Sequence, residues 1–270
     1  MTGRSGPRRP VRFDATEVGL IVVLALIAGG LLASGTHRLQ PSAEHDWLER
    51  EYGPDHQSQY FEEWVVRDFF GGRREGVFVD VGAAHHQQFS NTWYLERELG
   101  WSGVAVDAQR EFAEGYAEHR PRTVFRTFFV SSTSSERVRL FLNDVRWVAS
   151  SKQDFTGRWG ELVESRDVAT ITLNDLLRAE GIEAFDFLSM DIELAEPGAL
   201  AGLDLERFSP KLVCVEAHPE VRQEILEYFA MRNYVLAGKY VRVDDRNLWF
   251  VPRGTVIEPF PKDVSDQWTN

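Results

Sequence analysis

The chain has 270 residues, with 30 lysine or arginine against 42 aspartate or glutamate, and so carries a formal net charge of -12. That length holds one globular domain with additional segments, and 12% aromatic content with eight tryptophans excludes a disordered chain. The first 35 residues contain four arginines against Asp14 and Glu17, leaving 26 basic and 40 acidic residues for the rest, which argues against nucleic acid as a partner.

From the N-terminus, residues 1–17 form a basic tail. Residues 18–35 (VGLIVVLALIAGGLLASG) are free of charge, and as a helix would reach roughly 27 Å, enough to span a bilayer. They are read as a transmembrane helix that makes the protein a single-pass membrane protein. A cleaved signal peptide is the alternative, because Ala33 and Gly35 form a small-x-small site, and a buried core helix is a third. Arg4, Arg8, Arg9 and Arg12 before the segment place its N-terminus in the cytoplasm and the main domain on the far side. Residues 36–56 are polar, broken by Pro41 and Gly53-Pro54, and read as a linker with room for one short helix.

Tyr60, Phe61, Trp64, Val65 and Phe69 fall at helical spacing, so residues 59–70 are expected to form an amphipathic helix that Gly71-Gly72 ends. Short apolar runs then alternate with helical patterns: GVFVDVG, SNTWYLERELG, SGVAVDA, REFAEGYAEHR, RTVFRTFFV. ERVRLFLN, TLNDLLRAEG, FDFLSMDI, KLVCVEAH and EVRQEILEYFAMRNY follow. This alternation predicts a parallel sheet with helices on its faces. YVLAGKYVRV and RNLWFVP around a DDR turn predict a terminal antiparallel hairpin, and residues 256–270 a loose tail. Cys214, the one cysteine, excludes an internal disulfide and a multi-cysteine zinc site, and its apolar run marks it as a buried small hydrophobe.

In an open parallel sheet, ligands bind beyond the carboxyl ends of the strands. Here those ends are acidic: Asp80, Asp107, Asp191 with Glu193, and Glu216 followed by His218. A strand buried on both faces has no local use for a carboxylate, so these groups are expected to face a ligand or cleft. Gly82 permits close backbone approach at the first turn. Asp107, twenty-five residues later, stands where an acid accepts hydrogen bonds from ribose hydroxyls; capping of the following helix is the plainer reading. The turn reads GAAHHQQF and lacks the phosphate-binding glycines, which disfavours a dinucleotide and a nicotinamide oxidoreductase. S-adenosylmethionine, a nucleoside without phosphates, needs fewer glycines.

FVDVGAAHHQQFSNTWYLERELGWSGVAVDAQ and FDFLSMDIELAEPGALAGLDLERFSPKLVCVEAH, with SQYFEEWV before and DDRNLWF after, resemble the FkbM family of S-adenosylmethionine-dependent methyltransferases over roughly residues 57–252. The resemblance implies a Rossmann-like class I methyltransferase fold: an α/β domain over residues 57–255, with a seven-stranded, mostly parallel sheet, helices on both faces and an antiparallel last strand. It implies O-methylation of a small-molecule or glycan acceptor, such as a sugar or glycolipid hydroxyl. By position, Asp80, Gly82 and Ala83 match the family's cofactor motif, Ser90-Asn91-Thr92 its SNT element, and Asp107 its ribose-binding acid. Asp191 and Glu193 match its D-x-E motif. His86 stands where many members have a second glycine. Where D-x-E usually continues with glycine and a second glutamate, the chain reads Leu194-Ala195-Glu196.

Methyl transfer is an in-line displacement that depends on alignment more than on a nucleophile, and a hydroxyl acceptor must lose its proton to a group within hydrogen-bond reach. Asp191, Glu193 and His218 are the candidate catalytic residues; capping or rim ion pairs would be their structural alternative. No metal is required by this reading. Asp191, Glu193, Glu216 and His218 could converge on a magnesium or manganese ion, but that is not the favoured arrangement. His85 and His86 read as solvated or bonded to backbone, Ser90 as the N-cap of a helix opening at Asn91, and Trp93, Tyr94, Trp101, Trp147 and Trp159 as core or cleft wall. A second reading keeps the fold without catalysis, as a membrane-anchored binding or scaffold protein. His86, the altered D-x-E continuation and the outward orientation favour it, since the cofactor is made in the cytosol.

Overall fold

The computed structural model describes residues 42–265 apart from residue 146. The basic tail and the segment 18–35 lie outside the described residues. Among the described residues no helix is long and apolar enough to cross a membrane.

The main sheet has seven strands. β1 (Val77–Val81), β2 (Ser102–Asp107), β3 (Thr123–Thr127), β8 (Phe187–Met190) and β9 (Leu212–Glu216) run parallel; β10 (Tyr234–Leu236) and β11 (Asn247–Pro252) complete it in the order β10-β11-β9-β8-β1-β2-β3. β11 lies between β9 and β10, antiparallel to both. The strands alternate their side chains between two apolar layers: Val79, Val213 and Phe250 enter one, while Phe78, Cys214 and Trp249 enter the other. The first layer is closed by α6 (Leu173–Ala179), α7 (Glu196–Ala201) and α9 (Arg222–Ala230), and the second by α1 (Ala43–Tyr52), α2 (Glu62–Phe70) and α3 (Trp93–Leu99). Helices therefore cover both faces, as expected.

A second sheet, β4-β7-β5-β6, stands apart from the first, formed by β4 (Phe129–Val130), β5 (Arg137–Asn143), β6 (Ala149–Ser150) and β7 (Leu162–Ile171). RTVFRTFFV, expected as one strand, is divided: its first part, β3, pairs with β2, and its end, β4, with β7. β7 escapes periodicity because its first half is exposed on both sides, with the apolar Leu162 and Val163 beside Glu164 and Ser165, so no alternation marks a buried face.

Three further expectations are corrected. The linker contains α1, whose Leu48 is fully buried and whose Ser42 caps it through His45, so the packed body starts before residue 57. The tail is docked: Phe260 and Val264 are buried against the same layer as Leu48. KYVRV is not a strand, because Gly238–Tyr240 forms a 3-10 turn that buries Tyr240; the hairpin partners are β10 and β11 across a long connection.

Candidate active site

The site lies at the carboxyl ends of β2, β1, β8 and β9, which are neighbours in the sheet. At the first turn Gly82 has φ +80, and a Cβ there would lie 1.7 Å from the carbonyl oxygen of Asp191. Glycine is required by this backbone contact between strand ends. The turn continues through Ala84 (φ +46), whose N–H donates to Asp107 Oδ2 at 3.0 Å, while Gln109 N–H donates to Oδ1 at 2.7 Å. Both carboxylate oxygens are thus fixed by backbone at the strand tip, and Asp107 caps no helix: the following 3-10 turn and helix begin without a side-chain cap. Burial still pushes Asp107 up to about 6 against those two hydrogen bonds.

Asp80 is 4% exposed and accepts a 2.7 Å hydrogen bond from Thr92 Oγ1. Burial raises it to about 6, opposed by that bond and by Arg120. Asn91 Nδ2 donates to Ser189 Oγ on β8 at 3.0 Å, and Ser189 faces Asp80 in the β1–β8 register. Ser90 Oγ accepts from Thr92 and Trp93 N–H and so closes the turn leading into α3, but it is not the N-cap: α3 opens at Trp93, with Thr92 as its N-cap. Behind this loop is Arg120, 2% exposed. It pairs with Glu96 Oε2 at 2.5 Å and donates to the carbonyls of His86 and Thr92. Glu96 also receives Arg122 N–H and the Thr123 hydroxyl.

His86 fits its unusual position because Gly115 opposite has no side chain: a Cβ there would be 2.3 Å from His86 Nδ1. His86 stacks between His85 and His119, and burial lowers its pKa to about 4. His85 Nδ1 accepts the N–H groups of Gln87 and Gln88. Neither histidine belongs to the acidic cluster. Trp147 stands beside His85, Phe89 and Phe112 as a wall.

That cluster lies beyond β8 and β9. His218 Nε2 is 2.9 Å from Glu216 Oε2 and 3.3 Å from Glu193 Oε2, charge pairs without hydrogen-bond alignment. The two carboxylates, Glu193 first, push His218 up to about 10. It is therefore a held cation, not a free base near neutrality. Burial lifts Glu193 to about 7, and burial with the adjacent Glu216 carboxylate lifts Asp191 well above the ordinary range. Glu193 and Leu194 adopt φ +55 and +75, so the leucine stands in a conformation that suits glycine. Ser150 Oγ, from the second sheet, donates to the Glu193 carbonyl at 2.6 Å, and the Phe155 ring meets His218 edge-on.

All the strand-end acids expected from the sequence thus reach one rim, in two groups: Asp80, Asp107, Asn91 and Thr92 around the Gly82-Ala83 turn, and Asp191, Glu193 and His218 around Glu216. The fold also buries Glu62, Glu196 and Arg120, which no pattern in the sequence marks. Glu62 is buried rather than on the polar face of α2, where it accepts Tyr60 N–H and Asn247 Nδ2. Glu196, fully buried, accepts Ile192 N–H at 3.0 Å.

Residues 80–241 match the profile of the family described as "Methyltransferase FkbM domain". No curated protein matches the chain in sequence. Among solved structures, the chain is similar to a TehB-like SAM-dependent methyltransferase from Corynebacterium glutamicum, at 11% identity and a TM-score of 0.42, covering 79% of this chain and 100% of that one. It is also similar to the 1,6-didemethyltoxoflavin-N1-methyltransferase of Burkholderia thailandensis, whose structure holds 1,6-didemethyltoxoflavin and S-adenosylhomocysteine. Identity there is 13% and the TM-score 0.39, over 93% of this chain and 94% of that one.

Proposed function

The chain belongs to the FkbM methyltransferase family, and on that premise we propose that it transfers the methyl group of S-adenosylmethionine to a hydroxyl oxygen of a small-molecule or glycan acceptor. The observation that carries this reading is the meeting of the acids from four adjacent strand ends on one rim.

The residues around Gly82 suit the cofactor by their chemistry. Two buried carboxylates, Asp80 and Asp107, face a ligand whose ribose hydroxyls donate and whose ammonium and sulfonium are positive, and the turn has no array of glycines that would call for a phosphate. Asp107 would receive the ribose, with Asp80, Gly82, Ala83, Asn91 and Thr92 shaping the rest. When bound, the cofactor supplies an electrophilic methyl carbon. The protein's part is to hold an acceptor oxygen in line and to take its proton. We assign the proton to Glu193, held in place by His218 on one side and by Ser150 at its carbonyl on the other.

Calorimetry with S-adenosylmethionine is the first test: no binding at millimolar cofactor refutes the proposal. Mass spectrometry after incubation with hydroxyl-bearing acceptors is the second. Glu193→Gln is expected to lower turnover at an unchanged cofactor Kd, and an unchanged turnover removes Glu193 from the role of base. We further propose that residues 18–35 anchor the domain to a membrane. A reporter at the C-terminus found in the cytosol gives the domain access to cofactor, whereas one found outside favours a non-catalytic scaffold.

A further inference from the structure

We propose that Asp191, Glu196 and Glu216 hold a divalent cation of the oxygen-seeking class, magnesium or manganese, at the carboxyl ends of β8 and β9. This deepens the methyl-transfer reading by giving its acceptor side an ion, but the binding itself does not depend on that reading.

The three residues offer carboxylate oxygens that all lie within 4.8 Å of one another. In an octahedral magnesium shell, with each ligand about 2.1 Å from the centre, opposite ligands stand about 4.2 Å apart and neighbouring ones about 3.0 Å, so a movement of about 1 Å or less by each carboxylate oxygen closes the shell. A separate observation points the same way. Asp191 Oδ1 and Glu196 Oε2 are buried without a hydrogen-bond partner among the described residues, and Glu216 Oε2 has the unaligned charge contact with His218 Nε2 at 2.9 Å in place of a hydrogen bond. Glu196 is the most telling, because its side chain is fully buried and its other oxygen is fixed by Ile192 N–H at 3.0 Å. A carboxylate anchored by one oxygen and left bare at the other is a ligand waiting for a donor or a cation.

The charge balance requires an occupant. Asp191, Glu193, Glu196 and Glu216 bring four carboxylates together, and His218 is the cation that pairs with two of them. Arg158, nearby, is engaged by Glu220. Uncompensated charge of this kind is not left buried. It is met by protons shared between carboxyls or by a metal. An all-carboxylate shell with room for water suits magnesium or manganese, while His218, held between Glu193 and Glu216, remains outside it as counter-charge. An ion here would lower the pKa of a hydroxyl bound to it, the property a methyl acceptor needs.

The test is manganese titration of the full chain, stripped with chelator and kept at pH 7.5, with free manganese followed by electron paramagnetic resonance and the melting temperature recorded at each step. One ion per chain and a melting temperature that rises with the logarithm of manganese or magnesium concentration are expected. Glu196→Gln keeps an acceptor for Ile192 and is expected to lose tenfold or more in ion affinity, as is Glu216→Gln; the metal-free melting temperature identifies a variant that fails to fold. Absence of saturable binding in the wild type, or unchanged affinity in both folded variants, overturns the site and leaves protons as the occupant. Calorimetry with S-adenosylmethionine in chelator is run in parallel. Cofactor binding without metal binding overturns only the ion, whereas loss of cofactor binding refutes the methyl-transfer reading and leaves the ion standing if manganese binds.

Discussion

Replacing Asp107 by asparagine separates what this side chain does for the cofactor from what it costs the fold. Burial lifts the carboxyl from 3.8 to about 6. Keeping it ionised at pH 7.5 therefore costs about 3 kcal/mol relative to the unfolded chain. The amide removes that cost and accepts from one of the two N–H groups now held, Ala84 or Gln109. The other is left unpaired, at about 2 kcal/mol. The apoprotein variant is thus expected to be about 1 kcal/mol more stable at pH 7.5. The sign reverses with acid. Because the folded pKa exceeds the unfolded one, the native wild type takes up its proton first and gains stability as pH falls from about 6 to about 4, while the asparagine gains nothing. Urea denaturation at pH 7.5 and pH 4.5 should show the two curves exchanging order. On the proposed assignment, the cofactor should also bind about tenfold more weakly, or about 1.4 kcal/mol. A variant that is less stable than wild type at both pH values would show that the two backbone hydrogen bonds outweigh burial, and the reasoning fails.

Gly82→Ala sets a Cβ 1.7 Å from the Asp191 carbonyl at φ +80, so a loss of about 3 kcal/mol or more is expected in urea denaturation; a loss under about 1 kcal/mol would mean the turn relaxes freely. Arg120→Met strands the buried Glu96 carboxylate and should cost about 3 to 5 kcal/mol, with the double variant Arg120→Met, Glu96→Met recovering part of it. Additivity in that thermodynamic cycle would deny the pairing. Thr92→Val removes the donor to Asp80 and should cost about 2 kcal/mol at pH 7.5. It should cost less at pH 5, where Asp80, raised to about 6, is already protonated; an equal cost at both pH values would place the effect in packing instead.

The parallel strands were legible because burial on both faces makes them continuous apolar runs, and the rule that ligands sit at their carboxyl ends pointed directly to Asp80, Asp107, Asp191 and Glu193. What escaped was set by distance along the chain. Glu62 lies at a polar position of a helical pattern, yet its partner Asn247 comes from β11, 185 residues away. Arg120 looks like a surface residue at the end of a helical pattern until the fold places Glu96, His86 and Thr92 around it. Leu48, Phe260 and Val264 are isolated apolar residues in polar stretches, and only their mutual packing reveals a core. The second sheet is hidden because the first half of β7 is exposed on both sides, apolar Leu162 and Val163 included, so its sequence shows no alternation. His218 is a candidate base by sequence, but the carboxylates of Glu193 and Glu216 at 3.3 and 2.9 Å raise it to about 10 and hold it as a cation near neutrality.

The backbone junction at Gly82 gives the molecule a mechanical property of its own. With the Asp191 carbonyl seated where a side chain would otherwise project, and Asp191 N–H donating to Val81 at 2.9 Å, the two loops that carry the halves of the rim are riveted back to back. A ligand held at the turn after β1 therefore shares a rigid backbone junction with the acids after β8, and if its binding changes the affinity of a second ligand there, thermodynamic reciprocity requires the second to change the affinity of the first by the same factor.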